Sequence, residues 1–284
     1  MELTNSKDIR ELLGRHGFRF SKSMGQNFLT AAWVPERIAD SALLDENTGV
    51  LEVGPGIGCL TEQLSRRAGK VLAVELDKAL KPVLAETLRD CGNVELIFGD
   101  VLKQDLRALC AGHFGGLRPV VCANLPYNVT SPLLTAFIEA GCFESITVMI
   151  QREVARRICA APGTPDYGAF SVYCQYHTHA ELLFDVPPEC FVPAPKVTSS
   201  VVRLTPRPAP AEVDDPDRFF QVVKAAFSQR RKTLLNALSS AFGDKIPKEE
   251  LLRIILSCGF SADVRGERLG IPEFARLSKV LPLK

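Results

Sequence analysis

The sequence of 284 residues lacks the features that mark several specialised protein classes. No apolar run is long enough to cross a bilayer, and residues 1–7 show no signal-peptide pattern. The nine cysteines form no C-x-x-C pair, and of the four histidines only His177 and His179 are close together. We therefore expect no membrane contact, no metal site and no redox motif, and we expect a cytoplasmic location with free thiols.

The chain also lacks an excess of charge of one sign, because its formal net charge is only +1. This balance argues against a strongly basic coat for nucleic acid, although basic residues do cluster locally. Three such clusters could follow a phosphate backbone, but each one alone is more often a solvated helix face. The clusters are Lys7, Arg10, Arg15, Arg19 and Lys22; Arg152, Arg156 and Arg157; and Lys224, Arg230, Arg231 and Lys232.

What the sequence does contain is a regular alternation of strand and helix patterns. Because this alternation is typical of parallel sheets, we predict an α/β fold: a Rossmann-like sheet with helices on both faces. The predicted strands cover 49–53, 70–75, 94–98, 119–123, 145–150, 173–186 and 197–204. The predicted helices cover 6–16, 32–42, 60–67, 79–90, 131–140 and 154–160.

A second, smaller domain is predicted after a change in composition near residue 205. Residues 206–212 form a proline-rich linker, and Asp215-Pro216 has the residue types of a helix start. Apolar residues such as Phe219 and Val223 then recur at helical spacing. We therefore predict an N-terminal arm with the sheet domain over 1–205 and an all-helical domain over 213–284.

A glycine-rich turn follows the first predicted strand of the sheet. Gly54 and Gly56 would let a ligand approach the backbone closely, but the spacing departs from the dinucleotide pattern G-x-G-x-x-G. Pro55 also removes one N–H that a pyrophosphate would use. Glu75 and Asp100 end the next two strands, where they can accept from ribose hydroxyls and an adenine amine. Together these residues favour an adenosine without phosphates, and S-adenosylmethionine fits.

Another strand end carries the tetrapeptide Asn124-Leu125-Pro126-Tyr127. The Asn124 side chain and a backbone carbonyl near Leu125 or Pro126 can accept both N–H groups of a planar amine. Tyr127 offers a ring face on which a base can stack. The alternative interpretation of these residues alone is an ordinary strand end followed by a turn.

With these motifs together, the chain resembles the ribosomal RNA adenine dimethyltransferase family, and within it the bacterial small-subunit enzymes. The matching segments span nearly the whole chain. They are 25–29 (Gly-Gln-Asn-Phe-Leu), 52–56 (Glu-Val-Gly-Pro-Gly), 124–128 (Asn-Leu-Pro-Tyr-Asn), 191–197 (Phe-Val-Pro-Ala-Pro-Lys-Val) and 226–234 (Ala-Phe-Ser-Gln-Arg-Arg-Lys-Thr-Leu).

The resemblance implies a fold, a reaction and a set of site residues. It implies S-adenosylmethionine-dependent dimethylation of two adjacent adenosines in the 3′-terminal hairpin loop of 16S rRNA, within a small-subunit precursor. The sequence itself shows no strong interface signature, so we expect a monomer. Cofactor contacts are expected from Asn27, Leu29, Gly54, Gly56, Glu75, Asp100 and Asn124. The catalytic pocket is expected to contain Asn124, Leu125, Pro126, Tyr127 and Phe191. The basic clusters described above, rather than the resemblance, indicate RNA contacts from Arg152, Arg156, Arg230, Arg231 and Lys232.

Three other functions remain open at this stage. A sister enzyme would methylate an adenosine of large-subunit rRNA. A non-catalytic RNA-binding or assembly factor could use the same scaffold, although its site residues would not need to be intact. A dinucleotide-dependent oxidoreductase is disfavoured by Pro55 and by the aromatic target pocket.

Overall fold

The computed structural model describes residues 2–18 and 26–283 in two compact units. One unit contains Met1–Ala155 and Glu181–Pro206, and the other contains Arg156–Ala180 and Arg207–Lys284. The basic residues Arg19 and Lys22, and Gly25 of the first matching segment, lie outside the described residues. No helix among the described residues is long and apolar enough to span a bilayer.

The first unit contains a seven-stranded sheet within residues 26–283, together with a small two-stranded sheet. The strands are β1 (Phe28–Leu29), β2 (Thr48–Val53), β3 (Lys70–Glu75), β4 (Val94–Phe98), β5 (Arg118–Asn124), β6 (Ser145–Gln151), β7 (Thr178–Val186), β8 (Phe191–Val192) and β9 (Ser199–Pro206). The large sheet has the order β4-β3-β2-β5-β6-β9-β7. Strands β4, β3, β2, β5 and β6 are parallel, whereas β9 is antiparallel to β6.

Helices connect the strands and form most of the second unit. They are α1 (Ser6–Arg15), α2 (Trp33–Ser41), α3 (Cys59–Ser65), α4 (Lys81–Thr87), α5 (Leu106–Phe114), α6 (Thr130–Ala140), α7 (Arg152–Cys159), α8 (Ala169–His177), α9 (Pro216–Phe227), α10 (Leu234–Phe242), α11 (Lys248–Ser257) and α12 (Ile271–Val280). Asn5 caps α1, and Asp215 caps α9 as the sequence predicts, accepting from the Arg218 N–H at 3.0 Å. The Rossmann-like fold is confirmed.

The central strands are apolar on both faces because helices cover the sheet on both sides. Every residue of β2 is buried, and so are the middle residues of β5 and β6. This burial explains why the sequence shows these strands as short continuous apolar runs rather than as alternating patterns. Because β2, β3, β4 and β5 are parallel, their carboxyl ends lie at the same edge of the sheet.

The prediction of a strand over 173–186 is wrong for residues 173–177. Residues up to His177 form α8, and β7 begins only at Thr178. The residues of α8 include aromatics that also suit a strand, but Val172 and Tyr176 are four residues apart and both buried, which is helical spacing. The Gly168 N–H donates to Ser171 Oγ at 3.0 Å at the start of this helix.

Helix α8 also explains why residues 156–180 group with the C-terminal helices. The centroid of the Tyr176 ring lies 5.1 Å from the centroid of the Phe219 ring and 5.2 Å from that of the Phe220 ring. Tyr167 is almost completely buried and donates its hydroxyl proton to the Leu269 carbonyl at 3.0 Å. The second unit is therefore discontinuous in sequence, whereas the predicted domains are consecutive; their boundaries at 205 and 213 stay a prediction.

Two further differences concern helices between the strands. The observed helix α4 is shorter than the helix predicted over 79–90. It begins only at Lys81, because residues Lys78–Leu80 form a 3₁₀ turn before it. Helix α5 was not predicted, although Asp105 caps its start and Gly115, with a φ of 56°, ends it. Asp and Gly at these two positions are the local signals that could have revealed it.

Gly49 provides a test of the packing under β2. A Cβ atom at this position would lie 2.5 Å from Cγ of the buried Phe114 ring on α5. We expect Gly49→Ala to lower the free energy of unfolding by about 1–3 kcal/mol because the core is overpacked. Urea unfolding followed by circular dichroism measures this change.

The matched control is Gly112→Ala on the exposed face of α5. A Cβ atom there has no neighbour within 4 Å. We expect this variant to be more stable than the parent by roughly 0.5–1 kcal/mol, because alanine favours the helix. Equal effects of the two substitutions would contradict the packing described for Gly49.

Candidate active site

A cavity of about 250 Å³ lies at the carboxyl edge of β2, β3, β4 and β5 in the first unit. All the residues predicted for cofactor binding and for the catalytic pocket line it. They are Asn27, Leu29, Gly54, Gly56, Glu75, Asp100, Asn124, Leu125, Pro126, Tyr127 and Phe191. The structure therefore brings together residues from six separate stretches of the sequence.

The glycine turn between β2 and α3 adopts a backbone that favours glycine. Gly54 and Gly56 have φ angles of 71° and 61°, in the left-handed region. A Cβ atom at Gly56 would also lie 3.1 Å from the Phe28 ring. The Gly54 N–H donates to the Val74 carbonyl at 3.0 Å, so the turn is attached to the neighbouring strand β3.

Glu75 joins the end of β3 to this glycine turn. Its side chain is buried and accepts from the Gly56 N–H at 3.3 Å and from the Asp77 N–H at 2.8 Å. Burial raises the pKa of the Glu75 carboxyl above its usual value. The carboxyl group retains lone pairs that ribose hydroxyls could use.

Asp100 follows β4 and lines the cavity together with two leucines. One of its oxygens accepts from the Leu102 N–H at 3.1 Å. Leu76 and Leu102 line the cavity and are 55% and 42% exposed, which is unusual for large apolar side chains. Sequence analysis did not assign them a function, although each follows a strand-end acid by one or two residues.

The segment before α2 reaches the cavity through a side-chain hydrogen bond. Gln26 Nε2 donates to Asp77 Oδ2 at 2.8 Å, and Gln26, Asn27 and Leu29 line the cavity. Leu29 in β1 pairs with Phe191 in β8, which brings the Phe191 side chain to the same wall. Phe191 is only 4% exposed.

Asn124 ends β5 at the cavity, and the backbone after it is held by several hydrogen bonds. The Leu125 N–H donates to the Met149 carbonyl at 3.1 Å, while the Leu125 side chain is buried. The Pro126 carbonyl accepts from Thr130 Oγ1 at 3.1 Å and from the Val129 N–H at 3.3 Å. Both lone pairs of the Pro126 oxygen are therefore in use.

Tyr127 is held by its hydroxyl group. Its Oη atom lies 2.6 Å from Ser199 Oγ on β9, a hydrogen bond that fixes the orientation of the ring. Burial raises the pKa of Tyr127 above its usual value. The tyrosine is therefore neutral at physiological pH and contributes a ring rather than a charge.

Glu52 is a second buried carboxyl group of the cavity wall. It is 1% exposed, and burial raises its pKa to about 8. Thr61 lies close enough to offset this rise in part, but among the described residues neither Glu52 Oε2 nor Thr61 Oγ1 has a partner in hydrogen-bond geometry. Sequence analysis assigned no role to Glu52, although an acid within an apolar strand was a visible signal.

The predicted RNA-binding residues lie outside the cavity lining. Arg152, in the first unit, has its Nη1 atom 3.9 Å from Asp185 Oδ2. Arg230, in the second unit, donates to the Pro165 carbonyl at 2.5 Å and to the Tyr167 carbonyl at 3.5 Å. Arg156, Arg231 and Lys232 are exposed residues of the second unit.

Comparison with known proteins identifies the family. The model of the family described as "Ribosomal RNA adenine dimethylase" matches residues 17–254. The chain belongs to the ribosomal RNA adenine dimethylase family. This membership confirms the family predicted from the sequence motifs, and S-adenosylmethionine is the methyl donor of these enzymes.

Curated relatives of this dimethylase family match over nearly their whole length. Ribosomal RNA small subunit methyltransferase A of Geobacillus thermodenitrificans is 48% identical over 276 residues, which are 96% of this chain and 94% of the relative. The protein of the same name from Streptococcus gordonii is 46% identical over 285 residues, covering 99% of this chain and 98% of the relative.

Solved structures of related enzymes share the fold. The 23S rRNA methyltransferase ErmE has a TM-score of 0.66 and 26% identity, with 89% of this chain and 98% of that chain covered. A dimethyladenosine transferase from Plasmodium falciparum has a TM-score of 0.71 and 23% identity, with coverages of 88% and 95%. The second similarity concerns the fold alone.

The residues that line the cavity of this dimethylase-family member suit S-adenosylmethionine. Glycines in the left-handed region allow close backbone approach, and Glu75 and Asp100 supply acceptors at neighbouring strand ends. Carboxyl groups at the cavity also suit a ligand that carries positive charge. Among the described residues, no group of three or more histidine, cysteine or acidic side chains is placed to hold a metal ion.

Burial of Glu52 leads to a prediction about stability and pH. Its carboxyl pKa is raised from 4.5 to about 8, so the ligand-free protein binds this proton more tightly than the unfolded chain. The contribution of Glu52 to stability is therefore most favourable below pH 4.5 and is lost as the pH rises towards 8. We expect Glu52→Gln to increase the free energy of unfolding by an amount that grows from pH 5 to pH 8, on the order of 1–4 kcal/mol.

Urea unfolding at several pH values, without cofactor, tests this expectation. The matched control is Glu62→Gln on α3, which removes a carboxylate paired with Arg66 at 2.6 Å and 34% exposed. The control should not show the same growing gain. A pH-independent effect of Glu52→Gln would contradict the assignment of a buried proton to Glu52.

Proposed function

We propose that the protein transfers methyl groups from S-adenosylmethionine to N6 of two adjacent adenosines in the 3′-terminal hairpin loop of 16S rRNA. The observation that carries this proposal is the position of Asn124 in the same cavity as Glu75 and Asp100. A site for an adenosyl cofactor and a site for an amine thus share one cavity. The relatives named ribosomal RNA small subunit methyltransferase A support the choice of RNA.

The order of the strands gives the cofactor a direction along the sheet edge. Neighbouring strands β4, β3, β2 and β5 end near Asp100, Glu75, Gly54 and Asn124, respectively. We assign the adenine to Asp100, the ribose to Glu75 and the methionine end to Gly54. Leu76 and Leu102 then provide apolar surface for the adenine ring. When bound, the cofactor supplies a methyl group that is already activated for transfer.

The target amine is oriented by Asn124 and a backbone carbonyl. Asn124 Oδ1 accepts one amine N–H, and the second N–H needs another acceptor at a similar spacing. Because the Pro126 oxygen already accepts from Val129 and Thr130, the Leu125 carbonyl is the better candidate. Two acceptors in these positions direct the nitrogen lone pair towards the methyl group.

Aromatic rings position the base itself. The target adenine must leave its stack to reach the cavity. We assign one face of the base to Tyr127, whose hydroxyl is held by Ser199, and the other face to Phe191. No side chain of the amine site is assigned as a general base. The amine nitrogen becomes acidic as the new bond forms, and its proton leaves to water.

Replacement of Asn124 tests the proposal directly. We expect Asn124→Ala to lower kcat by about 10²–10³-fold, because one of the two acceptors that orient the amine is lost. RNA affinity should change by less than about threefold, since phosphate contacts dominate it. Tritiated-methyl transfer to under-methylated small subunits and filter binding measure the two quantities.

The control and the product analysis make this test specific. Asn47→Ala removes an exposed asparagine next to the amino end of β2, at the opposite edge of the sheet, and should leave kcat unchanged. Mass mapping of the methyl groups should find N6,N6-dimethyladenosine at two adjacent positions of 16S rRNA. Methylation of large-subunit rRNA instead would favour the sister activity.

The proposed partner is 16S rRNA within a small-subunit precursor, bound by a monomer in the cytoplasm. Arg152, Arg156, Arg231 and Lys232 are assigned to phosphate contacts because they expose positive charge. The Arg230 guanidinium donates to the carbonyl groups of Pro165 and Tyr167. We therefore expect Arg230 to hold this loop as well as to bind phosphate.

The salt dependence of binding tests the basic cluster. We expect Arg231→Ala combined with Lys232→Ala to weaken RNA binding and to reduce the slope of log K against log salt by roughly 1–2, as expected for two phosphate contacts. The control Arg253→Ala removes one exposed cation from α11 and should leave the slope unchanged. An unaltered slope in the double variant would remove both residues from the interface.

A further inference from the structure

Glu52 has no assigned role in the proposed reaction, although it lies in the cavity wall. Its strand, β2, is otherwise apolar between Val50 and Val53, and its side chain is 1% exposed. Among the described residues no cation forms an ion pair with Glu52, and Oε2 has no hydrogen-bond partner. A buried carboxyl group without a partner is unfavourable when it is ionised, so it is suited to a positively charged ligand.

The groups that surround Glu52 do not supply this positive charge. Cys59 on α3 and Cys122 on β5 are buried thiols next to it; burial raises the pKa of Cys59 to about 12 and that of Cys122 well above its usual value. Both are therefore neutral. Glu75 on β3 is a second acid close to Glu52. The local balance of charge is neutral or negative, and a ligand must bring any compensating cation.

The strand order indicates which part of the cofactor would be next to Glu52 in the proposed orientation. Strand β2 lies between β3, whose end carries Glu75, and β5, whose end carries Asn124. In the proposed orientation the ribose is at Glu75 and the target amine is at Asn124. The sulfonium sulfur is bonded to the ribose methylene and carries the methyl group that is transferred to the amine, so in this orientation it would lie between the two, over the end of β2.

We propose that Glu52 is the counterion of the charged methyl donor and that it makes the cavity favour the sulfonium donor over the thioether product. This inference rests on the proposed function, because it uses the orientation of the cofactor described there. Donor and product share the adenosine and the amino acid part, and they differ at sulfur by one methyl group and one positive charge. A negative charge near the sulfur is therefore the simplest means of telling them apart.

The protonation of Glu52 gives this role a measurable signature. With its pKa at about 8, the carboxyl group is mostly protonated at pH 7 in the ligand-free protein. Binding of the sulfonium donor favours the ionised form, so a proton is released. The thioether product carries one positive charge fewer, so Glu52 takes up a proton again, and the product is bound less tightly than the donor. Exchange of product for donor is needed between the two methylation steps.

Calorimetric titration with S-adenosylmethionine and S-adenosylhomocysteine tests the proposal. Measurements in two buffers of different ionisation enthalpy, from pH 6 to pH 8, give affinity and proton release together. For the parent protein at pH 7 we expect the donor to release close to one more proton than the product, and donor affinity to rise at least about tenfold from pH 6 to pH 8.

Glu52→Gln should remove the discrimination without removing binding. We expect about a tenfold loss of donor affinity at pH 8, less than about a threefold change in product affinity, and no difference in proton release between the two ligands. The control Glu62→Gln, which removes a carboxylate that does not line the cavity, should retain the parent ratio. An unchanged donor-to-product ratio in Glu52→Gln would overturn the inference.

A measurement on the parent protein covers the case in which Glu52→Gln does not fold. Infrared difference spectra should show that the band of a protonated carboxylic acid disappears on addition of the donor and persists with the product. Loss of this band with both ligands, or with neither, would contradict the proposal. Failure of the parent protein to bind either ligand would instead contradict the proposed function.

Discussion

The hydrogen bond from the Gly56 N–H to the Glu75 carboxyl group connects two parallel strands at the edge where the cavity lies. The backbone at Gly56, which donates this bond, has a positive φ angle that glycine adopts without strain. The same turn starts α3, and the same acid accepts from the Asp77 N–H. This bond between a turn and a carboxyl group thus holds two parts of the cavity wall together.

The electrostatics of the cavity explain which ligand this turn suits. A Rossmann-like sheet with a glycine turn often binds pyrophosphate at a helix N-terminus. Here Pro55 removes one donor, and Glu52, Glu75 and Asp100 place acids around the turn. Carboxyl groups around the turn disfavour a phosphate, whereas a sulfonium or ammonium group would stabilise their ionised form, including that of Glu52, which is mostly protonated without ligand. The fold is therefore shared with dinucleotide enzymes, but this turn lacks a donor that a pyrophosphate would use.

The sequence allowed the cavity to be predicted better than the division into units. Strand-end residues such as Gly54, Glu75, Asp100 and Asn124 carry local signals, and parallel pairing brings them together without further information. Helix α8 was mistaken for a strand because its neighbours in space, Phe219 and Phe220, lie far along the chain. Glu52 was missed although an acid within an apolar strand is a visible signal, whereas the roles of Leu76 and Leu102 depend on their exposure, which a single sequence does not reveal.

The second methylation places a different demand on the site from the first. An unmodified amine has two N–H groups, which Asn124 and the Leu125 carbonyl can both bind in the proposed geometry. The monomethylated amine has one, so a single hydrogen bond no longer fixes the direction of its lone pair. The rings then become more important, and the hydrogen bond between Tyr127 and Ser199 restricts one of them. We infer that the orientation of the base, rather than a stronger nucleophile, allows the reaction to proceed to the dimethylated product.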